Sequence, residues 1–563
     1  MRKYVFKNKI LFCISIFFIT IASLMGIFMA YLCEYIIDTA TYKNQDMFTN
    51  AVILGIAYLI LYVVINIGKE YFNAKFTKAC IIDLKKDVFS KVLKKNIIDF
   101  KKEDTSKYII NLTGDIQILE SDYFSSVLSL ANYLFLFVFA IYALLSLNIY
   151  ITLTIFIVGW IPIIISKLFF SKLKFYKQNY SFMLKQFTGK IKDIFSGFDV
   201  IKSFNINKQV EDDFNSYNIM VEQSKFKGKA FFGVVSSISE CSGNFMFIVT
   251  LVLGAYFCIN NKMTIGELIA IVQLMNYIVN PLINTVQCVS KIQSVKPVYE
   301  NIIKDKEVAK EKKYISDFEF NKNLRIKNLS FKYDNVLALD NISLNIEKGK
   351  KYVIVGESGG GKSTLLKLLL RYYDDYEGQM FLDDIEFNKI KPDRWFDITS
   401  IIQQNVFIFN GTIKDNIVLY KDYSDEKLNK AIRDSGLEKL IEKLPDGINT
   451  LVGEGGNNLS GGEKQRISIA RALIRDNSVL ALDEATSSLD NNTAYSIENT
   501  ILNLENVTCF VITHKLIKNL LTKYDQIIVM KNGQVKGIGT FEQLINENEY
   551  FNKLYNLSYE NQL

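Results

Sequence analysis

A glycine-rich segment carries the most recognisable chemistry in this chain. Residues 356–364 follow the short apolar run 352–355 and precede the helical pattern 365–371. Glycines let backbone N–H groups turn inward around phosphate oxygens, and the N-terminus of a following helix adds positive potential. This spacing predicts a nucleoside triphosphate site with Mg²⁺. Its predicted nucleotide-binding residues are Gly356, Glu357, Ser358, Gly359, Gly360, Gly361, Lys362, Ser363 and Thr364.

Two roles in this loop follow from side-chain chemistry. The ammonium of Lys362 supplies a point charge to the β- and γ-phosphates, and the hydroxyl of Ser363 can bind Mg²⁺. Downstream, the apolar run 479–482 reads as a buried strand that ends in Asp483 and Glu484. A parallel strand can bring Asp483 beside the loop to hold Mg²⁺, and Glu484 is then placed to orient or deprotonate the attacking water.

Between these motifs lies a turn of small residues that opens a helix, another candidate anion-binding N-terminus. It consists of Ser460, Gly461, Gly462 and Glu463. With this turn the sequence resembles the ATP-binding cassette (ABC) transporter family, and the resemblance covers essentially the whole chain. It implies that the turn caps the γ-phosphate of an ATP held by the opposite subunit, so that two cassettes enclose two ATP molecules.

The resemblance assigns roles to further residues. Tyr333 matches the aromatic residue that stacks on adenine, and Gln404 matches the glutamine that reaches Mg²⁺ and senses the membrane domain. Gln403 is the adjacent candidate, but the spacing from 411–413 favours Gln404. Asp490 matches the D-loop aspartate. His514, the single histidine of the chain, matches the switch histidine at the γ-phosphate and joins Glu484 and Lys362 as a predicted catalytic residue.

One position departs from the exporter-type pattern. Residues 451–456 resemble the segment before the signature turn, where arginine is common at the position of Gly455. The glycine removes a charge, and its effect on coupling is left open.

Charge and composition divide the chain into two halves. Residues 1–315 carry 36 Lys and Arg against 24 Asp and Glu, a net charge of +12, whereas residues 316–563 carry 30 against 35, or −5. The whole chain is 49% hydrophobic, which excludes a disordered protein. A basic, apolar first half indicates a membrane domain, because cytosolic loops of membrane proteins are basic, and it gives no reason to expect a nucleic acid partner.

Six apolar stretches are long enough to cross a bilayer. We expect spans near 10–33, 49–68, 126–147, 149–170, 238–260 and 264–288. The loops 69–125 and 167–229 hold 11 and 12 lysines, so both loops, both termini and the cassette are expected in the cytosol. The predicted fold is multi-domain: an all-α six-helix transmembrane domain (1–305), a linker (306–322), and an α/β P-loop ATPase domain with a helical subdomain (323–563).

The long cytosolic loops also resemble those of exporters. That resemblance implies short coupling helices near 109–118 and 204–214 and a half-transporter that pairs with a second copy. A homodimer is favoured because every predicted catalytic residue is intact, and a heterodimer with a related subunit stays open. The expected activity is ATP hydrolysis that drives export of a small or amphipathic substrate, such as a lipid, drug, peptide or natural product, by alternating access.

Functions other than export are also compatible with parts of this sequence. An importer built on the exporter fold and a channel or regulatory member of the family are the open alternatives, whereas six spans argue against a soluble cassette ATPase. Abundant Lys, Asn and Ile suggest an AT-rich bacterial genome and hence the plasma membrane. Glu240 lies near the inner end of the fifth predicted span, and it is a candidate for attracting cationic groups of a substrate.

Overall fold

The computed structural model describes residues 1–303, 314–486, 489 and 491–560. Its contacts divide the chain into two compact units. The first consists of Met1–Lys95 and Glu103–Glu307, and the second consists of Asn96–Lys102 and Val308–Leu563. The predicted linker, 306–322, lies partly outside the described residues.

The first unit is built from helices, as the long apolar runs with few prolines predict. The five longest described helices have 30 to 53 residues, more than the roughly 20 that cross a bilayer, which lets the cytosolic loops remain helical. In chain order they are α1 (Arg2–Lys7), α2 (Lys9–Tyr42), α3 (Gln45–Leu93), α4 (Ile97–Lys101, grouped with the second unit), α5 (Thr105–Ile110), α6 (Ile116–Leu119), α7 (Ser125–Leu147), α8 (Ile149–Val158), α9 (Trp160–Ser196), α10 (Phe198–Ser203), α11 (Asn207–Ile259), α12 (Ile265–Ser294) and α13 (Lys296–Ile303).

Five helical segments of the described residues are long and apolar enough to cross a membrane. They are Lys9–Tyr42, Gln45–Leu93, Lys107–Leu147, Asn207–Ile259 and Ile265–Ile303. The predicted fourth span, 149–170, differs because it is divided between α8 and α9 at Gly159. The sequence gives a reason for the break, since Pro162 lacks the N–H that would continue the hydrogen-bond ladder to residue 158.

In the first unit, small residues are buried between helices and large apolar side chains face outward, as in a protein surrounded by lipid. Small and apolar residues such as Ala30, Ala140 and Ala270 are buried between helices. Large apolar side chains point outward along α3; they include Val52, Ile53, Leu54, Ile56, Leu59, Ile60 and Leu61. An apolar exterior of this extent excludes a water-exposed surface for this part of α3.

The second unit contains two sheets. The first is antiparallel and has the strand order β2-β1-β4-β5, and the second has the order β10-β9-β3-β8-β7-β6 and is parallel except for β10. The strands are β1 (Asn323–Tyr333), β2 (Val336–Glu347), β3 (Lys351–Gly356), β4 (Glu377–Leu382), β5 (Ile385–Glu386), β6 (Thr399–Ile402), β7 (Val479–Asp483), β8 (Thr508–Ile512), β9 (Gln526–Lys531) and β10 (Gln534–Gly539).

Helices surround the parallel sheet and form a separate helical subdomain. The subdomain has its own core around Ile413, Ile417, Leu428 and Ile467. The helices of the second unit are α14 (Lys362–Leu369), α15 (Pro392–Ile398), α16 (Ile413–Val418), α17 (Asp425–Asp434), α18 (Glu438–Ile441), α19 (Gly461–Leu473), α20 (Asn491–Leu502), α21 (Lys518–Leu521), α22 (Phe541–Glu547) and α23 (Glu549–Glu560). An all-α domain followed by an α/β domain with a helical subdomain is the predicted fold class.

The first predicted coupling helix, near 109–118, stays a prediction, and a further short helix lies upstream of it. The segment that groups with the second unit is Asn96–Lys102, which contains α4, and residues 109–118 belong to the first unit. Helix α4 begins after Asn96, whose side chain accepts a hydrogen bond from the Asp99 N–H at 2.7 Å. That local cap defines a short helix upstream of the predicted position.

Strand β3 leads directly into the glycine-rich loop, where two glycines have different surroundings. Gly356 has φ +148°, and a Cβ built there would lie 2.1 Å from the carbonyl oxygen of Met530 on β9. Gly359 has φ +79°, and a Cβ there would meet no atom within 4 Å. Both positions favour glycine by their backbone angles, but only Gly356 is also enclosed by a neighbouring strand.

This difference predicts the outcome of two matched substitutions. Gly359→Ala adds only the backbone strain of a left-handed residue, about 1 kcal/mol, whereas Gly356→Ala must also displace β9 and should cost about 3 kcal/mol or more. Thermal unfolding of the purified full chain should therefore show a clearly lower melting temperature for Gly356→Ala. Equal melting temperatures for the two variants would contradict the contact with Met530.

Candidate nucleotide site

The carboxylate of Glu484 lies at the centre of the candidate site. Its Oε2 accepts a hydrogen bond from Nε2 of Gln404 at 2.7 Å, and its Oε1 lies 2.9 Å from Nε2 of His514. The side chain is 22% exposed and that of His514 is 47% exposed, so the pair remains open to solvent. The carboxylate is therefore held from both oxygens and stays accessible to water.

Backbone geometry also restrains Glu484. The residue has φ +51°, in the left-handed region that non-glycine residues seldom occupy. Its N–H donates to the carbonyl oxygen of Ile512 at 3.1 Å, which ties it to the end of the neighbouring strand. Such backbone strain persists only where the surrounding structure enforces it, and it is concentrated at functional sites.

The parallel sheet explains why three distant residues meet here. Gln404, Glu484 and His514 follow β6, β7 and β8, which are adjacent in the sheet. The register pairs Asp483 with Ile512, so the next residues of β7 and β8 emerge at the same edge. Ligands of open α/β sheets bind outside the carboxyl ends of the strands, and this edge is that place.

Lys362 of the glycine-rich loop is folded back on the loop itself. Its Nζ donates to the carbonyl oxygens of Gly356 and Glu357, each at 2.8 Å, and the residue is 5% exposed. Burial lowers the pKa of Lys362, and the nearby charges of Glu484 and Asp483 act in the opposite direction. The Lys362 ammonium thus donates to loop carbonyl oxygens, and a bound phosphate would compete with those oxygens for its hydrogen bonds.

A hydroxyl and a carboxylate meet beside this lysine. The Ser363 hydroxyl donates to Oδ1 of Asp483 at 3.1 Å. Burial raises the pKa of Asp483, while the hydrogen bond from Ser363 lowers it. The pair therefore presents two oxygen ligands in a partly buried position, joined across the loop and the end of β7.

Aromatic rings gather at the end of β1. The Tyr333 ring lies edge-on to Phe331 and Tyr373, with centroid distances of 5.0 and 5.5 Å. Its hydroxyl is 3.3 Å from Oγ1 of Thr364, and 37% of the residue is exposed. Tyr333 thus stands beside the first turn of α14 with part of its ring available for stacking.

The signature turn forms a capped helix start. Ser460 precedes α19, its Oγ accepts from the Glu463 N–H at 3.4 Å, and the Glu463 carboxylate accepts from the Ser460 N–H at 2.7 Å. This reciprocal cap uses both side chains and leaves Ser460 and Gly461 exposed. The N–H groups of the first turn are then oriented toward an incoming anion.

The structure brings most of the predicted residues together, but not all of them. Lys362, Ser363, Asp483, Glu484, Gln404 and His514 form one group. Gln403 instead directs its Nε2 to the Tyr372 hydroxyl at 3.5 Å. The signature residues form their own turn, Asp490 lies outside the described residues, and Gly455 adopts φ +61°.

Glu240 belongs to the first unit, on α11, where it is exposed. Among the described residues no hydrogen bond or ion pair involves its side chain.

Two residues near the site were not predicted from the sequence. Tyr373 packs against both Phe331 and Tyr333, with ring centroids 4.7 and 5.5 Å away. The sequence feature that could have predicted it is the pair of tyrosines at 372 and 373, after the helical run. Gln465 of α19 directs Nε2 to the Glu484 carbonyl oxygen at 3.5 Å. No motif pointed to that long-range contact.

Comparison with protein families agrees with this geometry. The family model described as ABC transporter matches residues 339–487, and the model described as ABC transporter transmembrane region matches residues 12–282. The first match contains the glycine-rich loop, the signature turn and Glu484, and the second contains the long apolar helices. Both models match this one chain, with the transmembrane region before the ATP-binding region.

Individual proteins resemble the chain over nearly its full length. The ATP-dependent lipid A-core flippase of Desulfotalea psychrophila is 27% identical, with 96% of this chain and 95% of the flippase covered. The multidrug resistance-like ATP-binding protein MdlB of Buchnera aphidicola is 27% identical, with 93% and 91% covered. The structure of a bacterial Atm1-family ABC exporter with ATP bound has a TM-score of 0.85 at 20% identity, covering 99% of this chain and 98% of that one, which shows a shared fold.

Three observations lead to one assignment. Helices are long enough to cross a membrane, the glycine-rich loop contacts Asp483 next to the Glu484–His514 pair, and two family models match one polypeptide. The chain belongs to the ABC transporter family: it is a multi-pass membrane protein of the exporter type, in which an ATP-binding ATPase domain drives transport.

Proposed function

We propose that this chain is one half of a dimer that exports a small or amphipathic substrate by alternating access, with Glu484 as the general base of ATP hydrolysis. The observation that carries the catalytic part is the Glu484 carboxylate held between Gln404 and His514. A carboxylate in hydrogen-bond reach of a solvent-open space can orient a water molecule and accept its proton. His514 and Lys362 then stabilise the charge of the γ-phosphate in the transition state.

The donor set beside the loop fits Mg²⁺. The Ser363 hydroxyl and the Asp483 carboxylate are hard oxygen ligands already joined at 3.1 Å, and Gln404 offers an amide oxygen on the neighbouring strand end. Burial raises the pKa of Asp483, so a cation there would favour its ionised form. Mg²⁺ would neutralise charge on the β- and γ-phosphates.

In this proposal Tyr333 binds the adenine of ATP, and the glycine-rich loop binds its phosphates. The half-exposed Tyr333 ring offers a face for base stacking, which tolerates any purine. Its hydroxyl contact with Thr364 would give way as the triphosphate enters, and Lys362 would exchange loop carbonyls for phosphate oxygens. Nucleotide binding would thus rearrange contacts that the described residues make among themselves.

A second subunit would complete each site. The signature turn exposes Ser460 and Gly461 and bonds within itself, whereas Lys362 bonds to carbonyl oxygens of the glycine-rich loop. A two-fold dimer would place each turn over the partner's ATP, and closed two-fold symmetry provides two such sites at once. Because the residues of both half-sites are intact in this sequence, a homodimer is favoured over a heterodimer with a related subunit.

Orientation and direction are parts of the same proposal. The lysine-rich loops support cytosolic termini and a cytosolic cassette in a bacterial plasma membrane. Relatives named as a lipid A-core flippase and as a multidrug resistance-like protein favour amphipathic cargo moved away from the cytosol. An importer would instead accumulate cargo on the cassette side, and flux in inverted vesicles separates the two directions.

The assignment of Glu484 predicts the effect of Glu484→Gln. Loss of the general base should lower the ATPase kcat about 100-fold or more while ATP still binds, and the closed ATP-bound dimer should accumulate. Steady-state ATPase and nucleotide binding of the purified protein measure both. Glu542→Gln, which changes an exposed carboxylate on α22, is the control and should remain active. Near-normal turnover of Glu484→Gln would refute the assignment.

The dimer predicts complementation between two inactive variants. Ser460→Arg should abolish hydrolysis without preventing nucleotide binding at its own glycine-rich loop, and Lys362→Ala should lose phosphate binding. A mixed dimer of the two retains one composite site with Lys362 from one chain and Ser460 from the other. Vanadate-dependent nucleotide trapping should reappear in the mixture at one site per dimer; its absence from every mixed preparation would argue against the composite site.

The exposed position of Glu240 predicts a charge effect on substrate response. An unpaired carboxylate in or near a bilayer requires a wet cavity or a cationic partner. Glu240→Gln should weaken stimulation of the ATPase by cationic amphipaths and leave stimulation by neutral ones unchanged. Glu70→Gln, another exposed carboxylate of the first unit, serves as the control. Equal stimulation by both classes before and after the change at Glu240 would remove it from the substrate path.

A further inference from the structure

A buried carboxyl group lies near the nucleotide site without a role in the proposed hydrolysis. Glu498 of α20 is 4% exposed, and its Oε1 accepts a hydrogen bond from the Tyr524 hydroxyl at 2.6 Å. Burial raises the pKa of Glu498, whereas the Tyr524 hydrogen bond and the charge of Lys515 lower it. Burying a carboxyl group away from water is costly unless partners compensate, and the Tyr524 hydroxyl is such a partner.

Lys515, whose charge acts on Glu498, contacts the segment that precedes α20. Its Nζ donates to the carbonyl oxygen of Leu489 at 3.3 Å, and Leu489 is 6% exposed. The backbone N–H of Lys515 donates to Oγ1 of Thr513 at 3.1 Å. Both ends of this residue are therefore restrained, the main chain at the end of β8 and the ammonium against the main chain at Leu489.

The restraint reaches His514 through covalent geometry. His514 and Lys515 are consecutive, and a trans peptide fixes their Cα atoms about 3.8 Å apart. The His514 side chain is otherwise exposed, and its ring nitrogen must stay 2.9 Å from Oε1 of Glu484. Anchoring Lys515 limits how far the His514 backbone can shift, and its contacts with Thr513 and Leu489 lie outside the glycine-rich loop that binds nucleotide in the proposal.

We propose that Lys515 is a positioning residue that ties His514 to the main chain at Leu489 through the hydrogen bond of its ammonium. It thereby sets the rate of ATP hydrolysis and leaves nucleotide affinity unchanged. The inference rests on the proposed role of Glu484 and His514 in hydrolysis. Lys515 does not touch the reacting atoms; it acts through the geometry of its neighbour.

The test compares three substitutions in the full-length protein in lipid nanodiscs. Lys515→Met keeps the length of the side chain and removes its charge and donors, whereas Lys515→Arg keeps both. Lys518→Met removes an exposed lysine three residues further on and is the matched control. ATPase rates are measured over a range of MgATP concentrations, together with the melting temperature of each variant.

A separation of kcat from KM is expected. Lys515→Met should lower kcat by about tenfold to a hundredfold, since displacements of about 1 Å at a reaction centre have effects of that size, with KM for ATP changed less than about twofold. Lys515→Arg should recover most of the lost kcat, and Lys518→Met should match the wild type. A wild-type kcat for Lys515→Met, or a loss that Lys515→Arg fails to recover, would overturn the inference.

A double substitution tests the role of Glu498. If the carboxylate acts only as the counter-charge of Lys515, Glu498→Gln should lower kcat in the wild type but produce no further loss in Lys515→Met. If the loss of kcat in the double variant equals the product of the two single losses, Glu498 does not act through Lys515. A wild-type protein without ATPase activity would refute the proposed function itself, whereas an active wild type with an equally active Lys515→Met would refute this inference alone.

Discussion

The cassette depends on one carboxylate that is held in place from three directions. Gln404 and His514 contact its two oxygens, and the hydrogen bond from the Glu484 N–H to Ile512 fixes its backbone in a left-handed conformation. Gln404, Glu484 and His514 each follow a different strand of the parallel sheet. The order of the strands is therefore what turns three separate short motifs into one site, and the apolar cores on both faces of the sheet maintain that order.

Contacts around the glycine-rich loop suit a site that must accept and release a highly charged ligand. Lys362 is buried, but its partners are carbonyl oxygens of its own loop, which a phosphate can replace. Ser363 and Asp483 satisfy one another across the loop. Polar groups that would be costly to bury alone are thus paired internally, and each pair can be exchanged for contacts with nucleotide and metal.

The membrane unit follows a different physical constraint. In hydrocarbon every backbone N–H and C=O must be paired within the segment, so the unit is built from long helices with outward-facing apolar side chains. Its ends carry the polar contacts. Asp38 of α2 accepts from the Thr264 hydroxyl and from the Gly266 N–H, each at 3.1 Å, and so supplements the cap of α12. Lys3 and Lys7 of α1 pair with Asp87 and Asp83 of α3.

Prediction from the sequence succeeded where a local pattern had one physical meaning. The glycine spacing before Lys362, the apolar strand before Asp483 and the serine at the start of α19 each specify a backbone conformation over a few residues. The long apolar runs were equally easy to interpret, because the thickness of a bilayer sets the length of helix that crosses it. Prediction was less accurate where neighbouring elements compete: the predicted fourth span is divided at Gly159.

The sequence by itself determined the two-part architecture, the phosphate-binding loop and the residue types of an ATPase, because these depend on spacing within short segments. Only the tertiary structure decided that Gln465 and Tyr373 adjoin the site and that Lys515 donates to the carbonyl oxygen of Leu489. Those contacts join residues far apart in the chain. They follow from strand order and core packing, which no local pattern of residues encodes.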